Sequence, residues 1–360
     1  MDRRTQKAQA TAPGNPPTQP GPGPNPCPAS PPQSGATLIV GRALVQTVRH
    51  FFPDFNTWLD RLPDTRVPEA CTYCRRFLAW WGLLLYLLQL GSRRQLDYDL
   101  RAGGAQVLVN LNRLAQTEQT TLPVHDTLDH FLGHVTPAGW EHLRTQAVQR
   151  LGWSYVVTFK EGRTPALWQE FRALLAACPE NVVRREWADG RVQEFRWVNQ
   201  LAYEDSEGRV WKVNALECTE VAADGTKQYF AWLTGLPVGR KTVEEIAEKG
   251  GRDRWKVENE GFNRQKNSGL NLEHVYSTDP ESWKAYYLLL QIAFIFIQLL
   301  ERGSLLRRLA EELGRPVWKL FGSLKNVARR LLESVRFLTW AEDWFDRQQA
   351  SRLRIGLDSS

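Results

Sequence analysis

From Glu186 to Leu233 the chain alternates apolar and polar residues in three runs, Glu186–Leu201, Val210–Thr219 and Gln228–Leu233. Successive side chains of a strand point to opposite faces, so a period of two dictates strands with one face set against a core. Asp-Gly or Glu-Gly pairs at 189–190, 207–208 and 224–225 supply the positive φ that tight hairpins require, so neighbouring strands run antiparallel. Trp187, Trp197, Trp211 and Trp232 lie in or beside these runs and are expected to pack the module. A ring left exposed could stack on an unpaired base.

The text on either side is helical. Ala43, Leu44, Val48 and Phe52 follow a helical period, Phe77–Leu90 reads as a hydrophobic helix, and Val107–Leu114 and Thr127–Val135 are amphipathic pieces between Gly, Pro and polar turns. Residues 38–151 are therefore expected to form an all-helical domain. Residues 1–37 hold ten of the twenty prolines with Gly, Ser, Gln and Asn, a composition too poor in apolar surface to offset the entropy of ordering, and are expected to be disordered. Trp153–Phe159 predicts a strand with a buried β-branched centre, ended by Lys160-Glu161-Gly162, and Pro165–Ala177 predicts a helix; together they make a unit over 152–177. The β module occupies 178–241. Within 242–300, Thr242-x-x-Glu245 has the spacing of a capping box that opens a helix to Lys249, and Gly250-Gly251 is expected to break it. Trp283–Leu300 is an apolar helix expected to pack against the core.

Neither apolar run is expected to span a bilayer: Phe77–Leu90 is too short, and Ala285–Leu300 is short and interrupted by Gln291 and Gln298. No secretory signal is expected, because no apolar core follows the basic residues of the Pro-rich start. Five cysteines, an odd number widely spread, make no disulfide framework, which suits a reducing cytoplasm. Cys71-Thr-Tyr-Cys74 lacks the second ligand pair of a zinc site and reads as two helix or turn thiols. His130 and His134 form an i,i+4 pair near His125, without the glutamate of an HExxH motif, so no metal role is expected.

A formal net charge of +6 favours a polyanionic partner, nucleic acid before an acidic metabolite. The bias is strongest in the C-terminal helical tail, 301–360. Residues 301–336 carry nine Lys or Arg against Glu301, Glu311, Glu312 and Glu333. The tail is the leading candidate for contacts to a DNA backbone, with an ordinary solvated helix face as the competing explanation.

Residues 249–269 combine helical periodicity with a carboxylate in a special place. At about 100° per residue Trp255 and Phe262 fall on one line that should face a core. Glu258 borders that line, with Arg254 one turn before it and Lys266 two turns after, whereas Glu260 points almost the opposite way. Spacing alone describes an amphipathic helix with an i,i+4 Arg–Glu pair. The words of the motif say more. Arg254-Trp-Lys-Val-Glu258 followed by Lys266 resembles the Tyr-x2-Arg-x3-Glu-x6-Lys signature of the DDE transposases of bacterial insertion sequences, and the phrase Arg-Trp-Lys-Val-Glu-Asn-Glu-Gly-Phe-Asn is similar to one branch of them. Gly251 stands where the signature has Tyr, and Lys266 lies one residue late.

The resemblance covers most of residues 90–300 and implies an α+β fold: a helical N-terminal domain, a partial ribonuclease H-like core carrying an antiparallel β insertion, and a helical C-terminal tail. It implies DNA strand cleavage and transfer at the ends of a mobile element, Mg²⁺ or Mn²⁺ as cofactor, double-stranded DNA and a second copy of the chain as partners, and no membrane or small-molecule substrate. Carried over by position, Glu258 is the metal-binding carboxylate, with Arg254 and Lys266 completing the motif. Arg252, Lys256 and Arg264 around it, and Arg307, Arg308, Lys325, Arg329 and Arg330 in the tail, are the expected DNA contacts. Two-metal phosphoryl transfer needs several converging carboxylates, and the family's two aspartates should lie upstream of the strand at Trp153–Phe159. Asp97, Asp99, Asp126 and Asp129 lie upstream, but in helical or turn patterns, and the helical text of Trp140–Leu151 runs directly into Gly152-Trp153. The expectation is a segment lost near Arg150–Gly152, and a transposase by descent that has lost its nuclease activity or persists as a non-catalytic DNA-binding regulator.

Overall fold

The computed structural model describes residues 35–204, 208–254, 256, 261–312, 314 and 316–346, without the side chains of Arg254, Trp318 and Leu320. The fold is mixed α+β, with more than half of its residues helical and one open five-stranded antiparallel sheet.

Seven helices come first: α1 (Gly35–Phe51), α2 (Phe55–Asp60), α3 (Arg75–Leu87), α4 (Arg93–Arg101), α5 (Gly104–Ala115), α6 (His125–His134) and α7 (Pro137–Arg150). After the sheet come a short α10 (Asn263–Asn267), the long α11 (Pro280–Arg302), then α12 (Ser304–Glu312), α13 (Val317–Phe321) and α14 (Leu324–Phe337). α11 is apolar nearly all round, which places a helix at the centre of a core rather than on its surface. Asp279 caps it by accepting from the Ser282 amide at 2.7 Å, and Pro280 fits the first turn, where no amide partner is needed. Its Phe296 sits 5.4, 5.1 and 6.1 Å from the rings of Phe52, Phe55 and Trp80, so the N-terminal helices and α11 share one core. By length and composition α11 could cross a membrane, but 72% of its apolar window is already covered by protein, as in the core helix of a globular body.

The C-terminal helices are not a tail. Leu305, Leu309, Val327, Leu331 and Val335 are buried in the same core as α1. Gly41 of α1 lies against Ser334 and Trp340, Thr37 Oγ1 donates to Glu333 at 3.2 Å, and Asn110 Nδ2 donates to the carbonyls of Val335 and Leu338 at 2.9 and 2.7 Å. The expected helical N-terminal domain and C-terminal tail are therefore one body, because the apolar stripe of α14 finds its partner on α1 and α5. α1 also starts at Gly35, inside the stretch expected to be disordered; residues 1–34 lie outside the described residues.

α7 ends at Arg150, and Gly152, with φ of +65°, turns the chain while the Trp153 amide donates to Val148 O at 3.2 Å, so only residues 151–155 separate the helix from β1 (Val156–Thr158). α8 (Pro165–Ala177) follows, then β2 (Val182–Glu186), β3 (Val192–Glu204), β4 (Val210–Val221) and β5 (Lys227–Thr234). The sheet order is β1-β5-β4-β3-β2, and every pair is antiparallel. The run expected as one strand from Glu186 is the end of β2, a turn at Gly190 (φ +82°) and β3. The strand at Trp153–Phe159 is shorter than expected and is not the buried centre of a separate core: it is an edge of the β module, and Val157 is 45% exposed.

β3 carries an irregularity between Val198 and Leu201, with Gln200 at φ +64°. One extra residue inserted at a bulge shifts the alternation, so Phe195 and Trp197 point to one face while Val198 and Leu201 point to the other. α8 covers one face through Leu167, Phe171 and Leu175, and residues 238–247 cover the opposite face through Val238, Val243, Ile246 and Ala247. Trp197 and Trp232 pack this second face as expected, whereas Trp187 and Trp211 stay largely exposed, each beneath an arginine, Arg191 and Arg209.

Candidate nucleic-acid interface

The chain leaves β5 through a single helical turn, α9 (Val243–Glu245), which continues as a π-helical turn over Ile246–Gly251 and a 3-10 turn over Arg252–Arg254. Two expectations fail here. Thr242 does not cap the helix: its hydroxyl accepts from the Gly239 amide at 3.0 Å and its φ and ψ are already helical, so it belongs to the preceding turn. Gly250 and Gly251 do not break the helix either. A Cβ on Gly250 would collide with Val156, and one on Gly251 with the Trp232 indole, so the two glycines let the helical backbone lie directly on the sheet.

Arg252 fixes this segment. Its guanidinium meets Glu220 at 2.5 Å and Glu248 at 3.1 Å, and lies 4.6 Å from the centre of the Phe230 ring. Glu220 also takes Arg191 at 3.2 Å and the Gln193 amide at 2.7 Å, and Gln193 reaches Glu248 at 2.9 Å. Burial works against the Glu220 carboxylate, but the hydrogen bonds from Gln193 and Arg252 and the Arg252 and Arg191 charges outweigh it and hold its carboxyl below the ordinary value. Beside it, burial pushes the Cys218 thiol up to about 11, which makes it an inert packing group. The opposite face of β4 repeats the scheme: Glu217 accepts from Arg172 and from the Tyr229 hydroxyl, both at 2.7 Å, and pairs with Arg196 at 3.6 Å. Burial, then the Glu217 hydrogen bond, pushes the Tyr229 hydroxyl far up.

The motif residues divide accordingly. Glu258, the expected metal ligand, lies outside the described residues, as do Trp255 and the side chain of Arg254. Phe262, expected to face a core, is 43% exposed. Residues on either side of the motif are fastened to different parts of the molecule. Gly250–Arg252 lies on the sheet, whereas Gln265 exchanges hydrogen bonds with Gln291 of α11 at 2.9 and 3.2 Å, and Gly269 packs on Gln89.

Among the cations expected at the site, several have acidic partners. Arg252 is committed to Glu220 and Glu248, Lys256 pairs with Asp253 at 2.8 Å, and Lys266 pairs with Glu273 at 2.6 Å. Arg264 grips both Glu301 oxygens at 2.9 and 2.7 Å, and Arg330 meets Glu333 at 2.7 Å. Arg307, Arg308, Lys325 and Arg329 are exposed, and among the described residues none of the four takes an acidic partner. Their helices are amphipathic, so burying the leucines of α12 and α14 turns these four toward water.

No family model, curated protein or solved structure matches this chain.

The described residues do not offer the carboxylate set that two hard cations need: no group of three or more His, Cys, Asp or Glu among them is placed to hold a metal. Asp97 is taken by the amide and ring of His125 at 3.0 and 2.8 Å, Asp129 by Arg93 at 3.1 Å, and the His130 and His134 rings lie 4.2 Å apart with His134 Nδ1 on the His130 carbonyl. Sequence reasoning missed a cleft of about 820 Å³ where β1 stops short and leaves the start of β5 uncovered, lined by Lys160, Arg163, Trp168, Tyr229 and Arg252 among others. The alternation of β5 beyond the reach of β1 was the available signal.

Proposed function

We propose that this chain is a transposase-derived DNA-binding protein of the cytoplasm, contacting the duplex backbone through Arg307, Arg308, Lys325 and Arg329. The observation that carries the reading is the Arg254-Trp-Lys-Val-Glu258 phrase in a chain whose Arg307, Arg308, Lys325 and Arg329 lie exposed on α12 and α14 and take no acidic partner among the described residues. Ammonium and guanidinium groups free of carboxylate partners displace condensed counterions from DNA, and each phosphate neutralised steepens the fall of affinity with salt by about 0.9 in log–log slope. Binding of a duplex should therefore weaken steeply as salt is raised. Replacing all four residues with alanine should reduce the slope by roughly 3 to 4. A slope unchanged by the four substitutions would remove DNA contact from these helices.

A second reading, metal-dependent cleavage and transfer at the ends of a mobile element, is supported by Glu258 itself and by the ribonuclease H-like fold that the motif implies. Incubation with the element's terminal DNA and Mg²⁺ or Mn²⁺ separates the two. Strand cleavage abolished by Glu258→Gln would favour the enzyme, and its absence alongside intact DNA binding would favour the binding protein.

A further inference from the structure

The two edges of the sheet are built differently. β2 ends in Arg184-Arg185-Glu186, with Arg185 held by Glu244 at 2.7 Å, so its free edge carries the charges that keep natural sheets from adding strands. The β1 edge has no such guard: Trp153-Ser-Tyr-Val-Val-Thr-Phe159 is seven residues without a charge. Among the described residues no strand pairs with its outer side. The Phe159 amide donates to Ala231 O at 2.8 Å and Tyr155 O accepts from Thr234 Oγ1 at 2.7 Å, so residues 155, 157 and 159 turn their polar groups toward β5. By the alternation of an antiparallel ladder, the amides and carbonyls of Ser154, Val156 and Thr158 point outward. α8 covers Phe159 but leaves Tyr155 46% and Val157 45% exposed on the same face.

We propose that this edge joins a second copy of the chain, β1 to β1 across a two-fold axis through Val156, making one continuous sheet. The occupant follows from complementarity. A chain of net charge +6 repels its own copy over most of its surface, and a seven-residue uncharged edge is where two copies meet without like charges opposed. With Val156 opposite its own copy, Ser154 faces Thr158 of the other chain, and about six backbone hydrogen bonds close. On the exposed face each Tyr155 then lies directly across from Val157 of the other copy, an aromatic to β-branched pair of the kind that stabilises antiparallel strands. The proposal is independent of DNA binding.

Sedimentation equilibrium of the full chain across the micromolar range tests it. The wild type should approach twice the monomer mass. Val157→Lys sets two like charges beside the axis, and Thr158→Pro removes an outward amide while leaving the hydrogen bonds to β5 in place. Each should raise the dissociation constant at least tenfold, with far-UV circular dichroism unchanged, whereas Arg184→Ala at the opposite edge should leave it unaltered. A wild type that stays monomeric overturns the proposal, whatever strand of another protein the edge then takes. A dimer that persists in both variants overturns it as well, by placing the contact elsewhere.

Discussion

The helical body and the sheet bury their charges differently. Around α11 the buried residues are overwhelmingly apolar, and Phe55 meets the Trp80 and Phe296 rings edge to face. Among the described residues the sheet has two small apolar clusters, one per face, and beside each lies a nearly buried glutamate, Glu217 toward α8 and Glu220 toward the 246–254 segment. A large body gains stability from area removed from water. A thin module with little area must fix its covering elements by paired, hydrogen-bonded charges, which specify position more than they stabilise. The difference matters most at Arg252, because the motif begins two residues later.

The largest expected effect breaks the comparison on its apolar side. Phe296→Ala should lower the stability of the helical body by about 3 to 5 kcal/mol, the range for emptying a well-packed aromatic site. Hydrogen exchange followed by mass spectrometry should show faster exchange through α1, α2, α3 and α11, with β3, β4 and β5 unchanged. Equal acceleration of the sheet would mean that the two regions unfold as one unit.

Arg252→Ala acts on the other side. It leaves Glu220 with Arg191 and Gln193 alone and releases the turn that lies on Trp232. Removing one partner of a mostly buried pair should cost about 2 to 4 kcal/mol, confined to β4 and residues 246–254 in the same exchange experiment. A pH series sharpens this. The Glu220 carboxyl titrates lower in the folded protein than its ordinary 4.5, so the unfolded chain takes up its proton first. The stabilisation is present above that ordinary value and is lost as pH falls through the lower folded value. Glu220→Gln should therefore narrow the gap in sheet stability between pH 7 and pH 3. Asp64, whose carboxyl is held low against burial by Arg66 and Arg75, should keep its own acid dependence in the helical body.

What the sequence made legible follows from the range of each interaction. The hairpins, the bulk of β3, β4 and β5, and the helices of the body were readable because periodicity and Gly turns are local. The placement of β1 was not: the apolar centre of Trp153–Phe159 looks the same in a buried strand and at an unguarded edge, and only its pairing with β5 decides. Thr242 and Glu245 matched a cap by spacing, yet the Gly239 amide, three residues earlier, claims the hydroxyl. Gly250-Gly251 looked like a stop signal because glycine is read as a breaker, whereas here it serves close approach to Val156 and Trp232. Among the cations, Arg264 and Arg329 were equal in sequence. Glu301, 37 residues from Arg264, made the difference.

The smallest effect on stability is expected from the exposed cations, and it separates two uses of one residue type. Arg329→Ala and Arg307→Ala remove guanidinium groups that take no carboxylate among the described residues and lie on the water side of amphipathic helices, so each should change stability by less than about 0.5 kcal/mol. Arg252→Ala removes the same group where it holds a buried glutamate and a π-helical turn. Denaturant unfolding of the three variants side by side should rank Arg252 far above the other two. If Arg329→Ala destabilised the body as much as Arg252→Ala destabilises the sheet, the α14 face would be structural, and the case for that helix as a DNA contact would pass to the cleft at Lys160 and Arg163.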